Sequence, residues 1–123
     1  MKRLMSLLLC AGLVVAGPLA AQEEVEIGAG ATLRALDKVD GSVRDIKMRN
    51  ASSARFGRLT INLGECRYPV GDPAGDAYAF LTIQEDGRAE PRFSGWMVAS
   101  APALNALDHP RYDVWVMRCN TNA

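Results

Sequence analysis

His109 is the only histidine in the 123-residue chain, with Asp108 beside it and Asp113 four residues on. An imidazole oriented by a carboxylate is the arrangement of a general base, and Ser94 or Ser100 would be its hydroxyl nucleophile. The competing reading is a histidine that closes a local element and hydrogen-bonds within it. No G-x-S-x-G elbow and no second histidine accompany His109, which favours the structural role. No catalytic residue is assigned, and His109, Asp108 and Asp113 stand as weak catalytic candidates.

Ser94-Gly95-Trp96 is the second candidate. A glycine inside a strand marks a bulge or the close approach of another backbone. A tryptophan beside it offers an aromatic platform for a sugar ring or a partner chain. Against this, Trp96 and Trp115 are the two tryptophans of a small protein, and at least one is expected in the core. The binding residues expected are Trp96, Ser94 and His109.

Charge and cysteine usage narrow the classes. Lys2 and Arg3, an apolar run over residues 4–16 and the small residues 17–21 have the pattern of a cleavable secretory signal. The expected leader is residues 1–21, cut after Ala20 or Ala21. Its apolar run is shorter than the roughly 20 residues of a membrane span. The expected location is therefore the periplasm, with no transmembrane anchor after cleavage. Cys10 leaves with the leader, so Cys66 and Cys119 remain, an even count in an oxidising compartment. One structural disulfide is expected. A single histidine and no C-x-x-C spacing leave a zinc site without ligands. Asp72, Asp76 and Asp86 match no calcium-loop spacing. No metal and no cofactor are expected.

Of 14 basic and 14 acidic residues, 12 and 14 remain without Lys2 and Arg3. A charge near −2 gives no field toward nucleic acid. Arg44, Arg49, Arg55, Arg58, Arg67, Arg88 and Arg92 would suit carboxylates on an anionic polymer, but solvated strand faces account for them better. Hydrophobic residues at 49% and charged residues at 23% exclude disorder.

These residues must be held by a small scaffold. Residues 22–31 read as a flexible lead-in and residues 32–123 as a single β domain. Residues 32–48 predict a hairpin about a two-residue Asp40-Gly41 turn, setting Asp37 opposite Arg44, Ala35 opposite Ile46 and Leu33 opposite Met48. Residues 50–54 read as a turn. Residues 58–68 read as a strand, with a bulge at Gly64 that brings Cys66 onto the face of Leu59, Ile61 and Leu63. Residues 78–85 and 92–99 predict a second hairpin about Asp86-Gly87, pairing Phe80 with Phe93. Pro91 makes this hairpin an edge or lengthens its loop. Residues 100–108 predict a short helix capped by Ser100, burying Leu104 and Leu107. Residues 112–119, apolar on both faces, predict a central strand. The expected fold is mainly β: a small antiparallel β-sandwich or barrel of about six strands, with one short helix before the last strand.

Several blocks occur in a distinctive order: Arg55-Phe56-Gly57-Arg58-Leu59-Thr60-Ile61, Phe93-Ser94-Gly95-Trp96-Met97, Leu107-Asp108-His109-Pro110 and Tyr112-Asp113-Val114-Trp115-Val116. From about Thr32 to Cys119 the chain resembles the secreted bacterial family called domain of unknown function 2155. The resemblance implies an exported protein of the Gram-negative envelope and carries over no catalytic residue. The function expected is a periplasmic non-catalytic interaction or binding module. Its partner would be an envelope protein or envelope polymer, met through an exposed edge or an aromatic patch near Trp96 and His109. The alternative is a small periplasmic hydrolase using His109 with Asp108 or Asp113.

Overall fold

The computed structural model describes residues 11–12 and 23–122. The expected leader, including Cys10, lies outside the described residues apart from Ala11 and Gly12. Among the described residues, eight strands form and no helix: β1 (Val25–Ile27), β2 (Gly30–Asp37), β3 (Val43–Arg49), β4 (Ser52–Phe56), β5 (Leu59–Pro69), β6 (Tyr78–Glu85), β7 (Phe93–Val98) and β8 (Tyr112–Asn120). They make two antiparallel sheets and no closed barrel. One sheet runs β1–β5–β6–β7 with β4 also on β5, and the other runs β3–β2–β8. β1 and β4 share one edge of β5, at residues 67–69 and 59–63.

Alternation decides what faces inward. Leu33 and Ala35 on β2, Ile61 and Leu63 on β5, Leu81 and Ile83 on β6 and Val116 on β8 are buried in one core fed by both sheets. The expected bulge is present: pairing of β5 with β6 slips by one residue between Leu63 and Cys66. That slip returns Cys66 to the core and turns Arg67 outward. Cys66 on β5 is bonded to Cys119 on β8, so the disulfide joins the two sheets.

The first hairpin exists with its register moved by two residues. Leu33 pairs with Ile46 and Ala35 with Arg44. A type I′ turn needs positive φ at both central residues, and only Gly41 has it, at 77°. The chain closes over four residues instead, with the Asp37 amide donating to Ser42 O at 2.9 Å and the Gly41 amide to Asp37 O at 2.8 Å. A shift of two preserves the faces. Asp37 does not meet Arg44, and pairs with Arg111.

The second hairpin has the longer loop, residues 86–92, and β7 is the edge of its sheet. Phe80 pairs with Trp96 and Ile83 with Phe93. A shift of three reverses the faces, so Phe93 enters the core and Trp96 lies outside.

Four further expectations are corrected. Residues 100–108 form turns, not a helix, with the Ala101 amide donating to Val98 O and the Leu104 amide to Ala101 O. So short a helix is marginal without two turns of buried contact. Leu107 is buried, but Leu104 is 75% exposed. Residues 52–56 form β4 rather than continuing a turn, and Val25–Ile27 forms β1 inside the expected lead-in. β8 is an edge strand, because β2 takes the centre of its sheet.

Candidate functional site

His109 precedes β8 and is 6% exposed. Its Nδ1 accepts the amide hydrogens of Arg111 at 2.9 Å and Tyr112 at 3.1 Å. Those two bonds place the imidazole proton on Nε2. Nε2 lies 3.2 Å from Glu85 Oε2 but is not aligned for a hydrogen bond. The ring packs 5.0 Å from Tyr112, and Lys38 Nζ donates to His109 O at 2.8 Å. Around it, Arg111 Nη2 and Nε reach Asp37 Oδ2 at 2.8 and 3.0 Å. Arg92 Nε donates to Glu85 Oε2 at 2.6 Å. The Arg111 guanidinium holds the Asp37 carboxyl below the usual range, and Arg92 does the same for Glu85.

The expected catalytic partners are elsewhere. Asp108 is exposed. Asp113 lies 3.7 Å from Lys38. Ser94 Oγ is 3.4 Å from Thr82 Oγ1. Ser100 neither caps a helix nor meets His109. Its hydroxyl and amide donate to Asp76 at 2.5 and 2.9 Å. Burial alone would raise the Asp76 carboxyl, but these bonds and the Ala77 amide outweigh it and lower the carboxyl.

Neither tryptophan belongs to the core. Trp96 and Trp115 are both half-buried, on the outer faces of different sheets. Trp96 is the more firmly held. Phe80, its partner across β6, meets it edge-to-face at 5.4 Å between ring centres. Arg67 Cζ lies 4.9 Å from its ring centre, within cation–π range. Residues Ile27, Arg67, Tyr78 and Val98 form the adjoining row across four strands. Between them, a depression of about 260 Å³ is lined by Glu23, Val25, Arg67, Tyr78 and Trp96. Arg67 Nη2 donates to Glu65 Oε1 at 2.6 Å, while its Nε is buried without an acceptor. Tyr78 Oη donates to Glu23 Oε2 at 3.2 Å. Burial, with that carboxylate beside it, raises the Tyr78 phenol above its ordinary value.

Of the expected binding residues, Trp96 lines this depression. Ser94 lies two residues along β7, and His109 is buried by the far end of β6 at Glu85. Sequence reasoning missed Glu23, Tyr78 and Phe80 as neighbours of Trp96. A pairing of Phe80 with Trp96, three residues off the expected register, would have placed Phe80 and Tyr78 beside it. Of the seven arginines singled out in the sequence, Arg55, Arg67 and Arg92 pair with carboxylates, while Arg44 and Arg58 donate to the carbonyls of Arg55 and Asp86. Asp72 accepts the Gly75 amide through its carbonyl, Asp76 holds Ser100 and Asp86 holds Arg55. Among the described residues, no helix is long and apolar enough to cross a membrane.

The protein is 30% identical over 88 residues to "Uncharacterized protein RP359" of Rickettsia prowazekii (strain Madrid E), a match covering 69% of this chain and 57% of that relative. The chain thus spans little more than half the length of that relative. No solved structure matches it. Residues 31–119 match the family described as "Uncharacterized protein conserved in bacteria (DUF2155)", and the chain belongs to that family.

Proposed function

We propose that this chain is a non-catalytic binding module of the bacterial cell envelope, exported to the periplasm, with its contact face on the outer surface of the five-stranded sheet around Trp96. One observation carries the reading. Trp96 is braced by Phe80 and Arg67, yet its depression stays open to solvent. A braced, half-exposed aromatic is the type of group that anchors recognition at low entropic cost. The disulfide supports an oxidising compartment. Two sheets feeding one core and tied by that bond support reading the fold as a β-sandwich. The hydrolase alternative gains nothing from the bonds around His109, since its Nδ1 is taken by two backbone amides.

The test is retention of solubilised bacterial envelope on the immobilised, oxidised protein. Trp96→Ala is expected to abolish retention, and Trp115→Ala, on the opposite sheet, to preserve it. Equal retention by both variants, or none by the unmodified protein, would overturn the proposal.

A further inference from the structure

We infer that the Trp96 depression takes a neutral pyranose unit of an envelope polysaccharide and rejects acidic polymers. The inference rests on the binding-module reading above and names its ligand class. The first argument is shape. A depression of about 260 Å³ falls below the roughly 300–1,000 Å³ that encloses a whole drug-sized ligand. It seats one unit of a longer chain, and its open side lets that chain continue.

The second argument is chemistry. One wall is the half-exposed Trp96 side chain, an aromatic of the kind that packs against the C–H face of a sugar. The polar rim carries more acceptors than free donors. Glu23 and Glu65 are carboxylates, and the Tyr78 hydroxyl already donates to Glu23. Such a rim accepts hydroxyl hydrogens, which a pyranose supplies in several directions.

The third argument is charge. Among the described residues, Arg67 is the one cation of the lining, and Glu65 pairs with it at 2.6 Å. Glu23 then leaves the depression with one excess negative charge. A uronate or phosphate polymer would meet that charge with Arg67 already engaged, and like charges at contact are repulsive.

The experiment is calorimetric titration of the oxidised protein with three tetrasaccharides: a neutral hexose, a neutral N-acetylhexosamine and a hexuronate. At least one neutral tetramer is expected to bind saturably, and the hexuronate not at all. Trp96→Ala is expected to weaken the neutral sugar by about tenfold or more. Glu65→Gln, which frees Arg67, is expected to admit the hexuronate. A preference for the hexuronate in the unmodified protein, silence from both neutral tetramers, or neutral binding indifferent to Trp96→Ala would each overturn the inference. Envelope retention lost in Trp96→Ala while both neutral sugars stay silent would sink the sugar assignment and leave the binding module standing. Absence of envelope retention would sink the module itself.

Discussion

His109 and Trp96 mark two regions at opposite ends of β6, beside Glu85 and opposite Phe80. Around His109 the polar atoms face inward: Nδ1 holds two amides, Arg111 holds Asp37 and Arg92 holds Glu85. Around Trp96 the bracing comes from the sides, through Phe80 and Arg67, and the depression opens outward. The first region contains an imidazole and carboxylates, the residue types of a general base, and its atoms are committed to shaping the approach to β8. The second keeps surface available. Residue type alone is thus a poor guide to a site. What separates the two is whether the fold has already taken the atoms that chemistry would need.

The largest expected effect concerns the bond that ties the two regions' sheets together. Cys66 and Cys119 are 53 residues apart. Replacing both by serine is expected to lower stability by about 4 kcal/mol in the chain-entropy account, read by urea unfolding. A loss near zero would mean that the core alone fixes the sheets, and that Arg67 keeps its place beside Trp96 without the crosslink.

Next, His109→Ala is expected to cost about 3 kcal/mol, because the Arg111 and Tyr112 amides lose their acceptor and the ring leaves a void. Trp96→Ala, on the outer face, is expected to cost about 1 kcal/mol. His109→Asn, whose carbonyl oxygen can replace Nδ1 as acceptor, should recover part of the loss. Urea unfolding of the three variants checks the order. Equal costs for His109→Ala and Trp96→Ala would erase the distinction between an inward knot and an outward platform.

The sequence was legible wherever period two and cysteine parity governed. Leu59, Ile61 and Leu63 fixed the inward face of β5, and the parity of Cys66 required the bulge at Gly64. Asp40-Gly41 and Asp86-Gly87 located both hairpins but not their registers. Each turn has positive φ only at its glycine, so neither closes over two residues. The first register error was even and left every face intact. The second was odd and hid the pairing of Phe80 with Trp96. The helix expected at residues 100–108 had two leucines to bury, and Leu104 found no partner. Ser100 went to Asp76, and the Asn105 side chain donates to Trp96 O at 3.0 Å. The candidate site was legible only as Trp96. Arg67, Tyr78 and Glu23 come from three other segments, and long-range register alone brings them together.

Acid should act on the ion pairs around His109. Arg111 lowers the Asp37 carboxyl and Arg92 lowers that of Glu85. A carboxyl depressed in the folded state stabilises the protein above its unfolded pKa, about 3.9 for Asp and 4.3 for Glu. That contribution is lost as pH falls through the lower folded value. The contribution of these two carboxyls is therefore expected to be lost progressively as pH falls below about 4. Asp37→Asn should be less stable at neutral pH and lose less on acidification. A variant whose acid profile parallels the unmodified protein would show that the Asp37–Arg111 pair does not set the acid limit.

The smallest effect lies where the chain crosses from one sheet to the other. Ala51, between β3 and β4, has φ of 58°, and its amide donates to Gly64 O at 3.0 Å. A side chain in the left-handed region carries a steric cost of about 1–2 kcal/mol. Glycine removes that cost but gives the unfolded chain more freedom, worth roughly 0.5–1 kcal/mol. The net expectation for Ala51→Gly is a gain of about 0.5–1 kcal/mol, read as a higher urea midpoint with an unchanged slope. The substitution touches neither the His109 bonds nor the Trp96 bracing, so stability should rise while binding at Trp96 stays constant. If binding weakened as the turn relaxed, the bulge at Gly64 would be transmitting the crossing's geometry to Arg67. The outer platform would then depend on the same backbone that separates it from the inner knot.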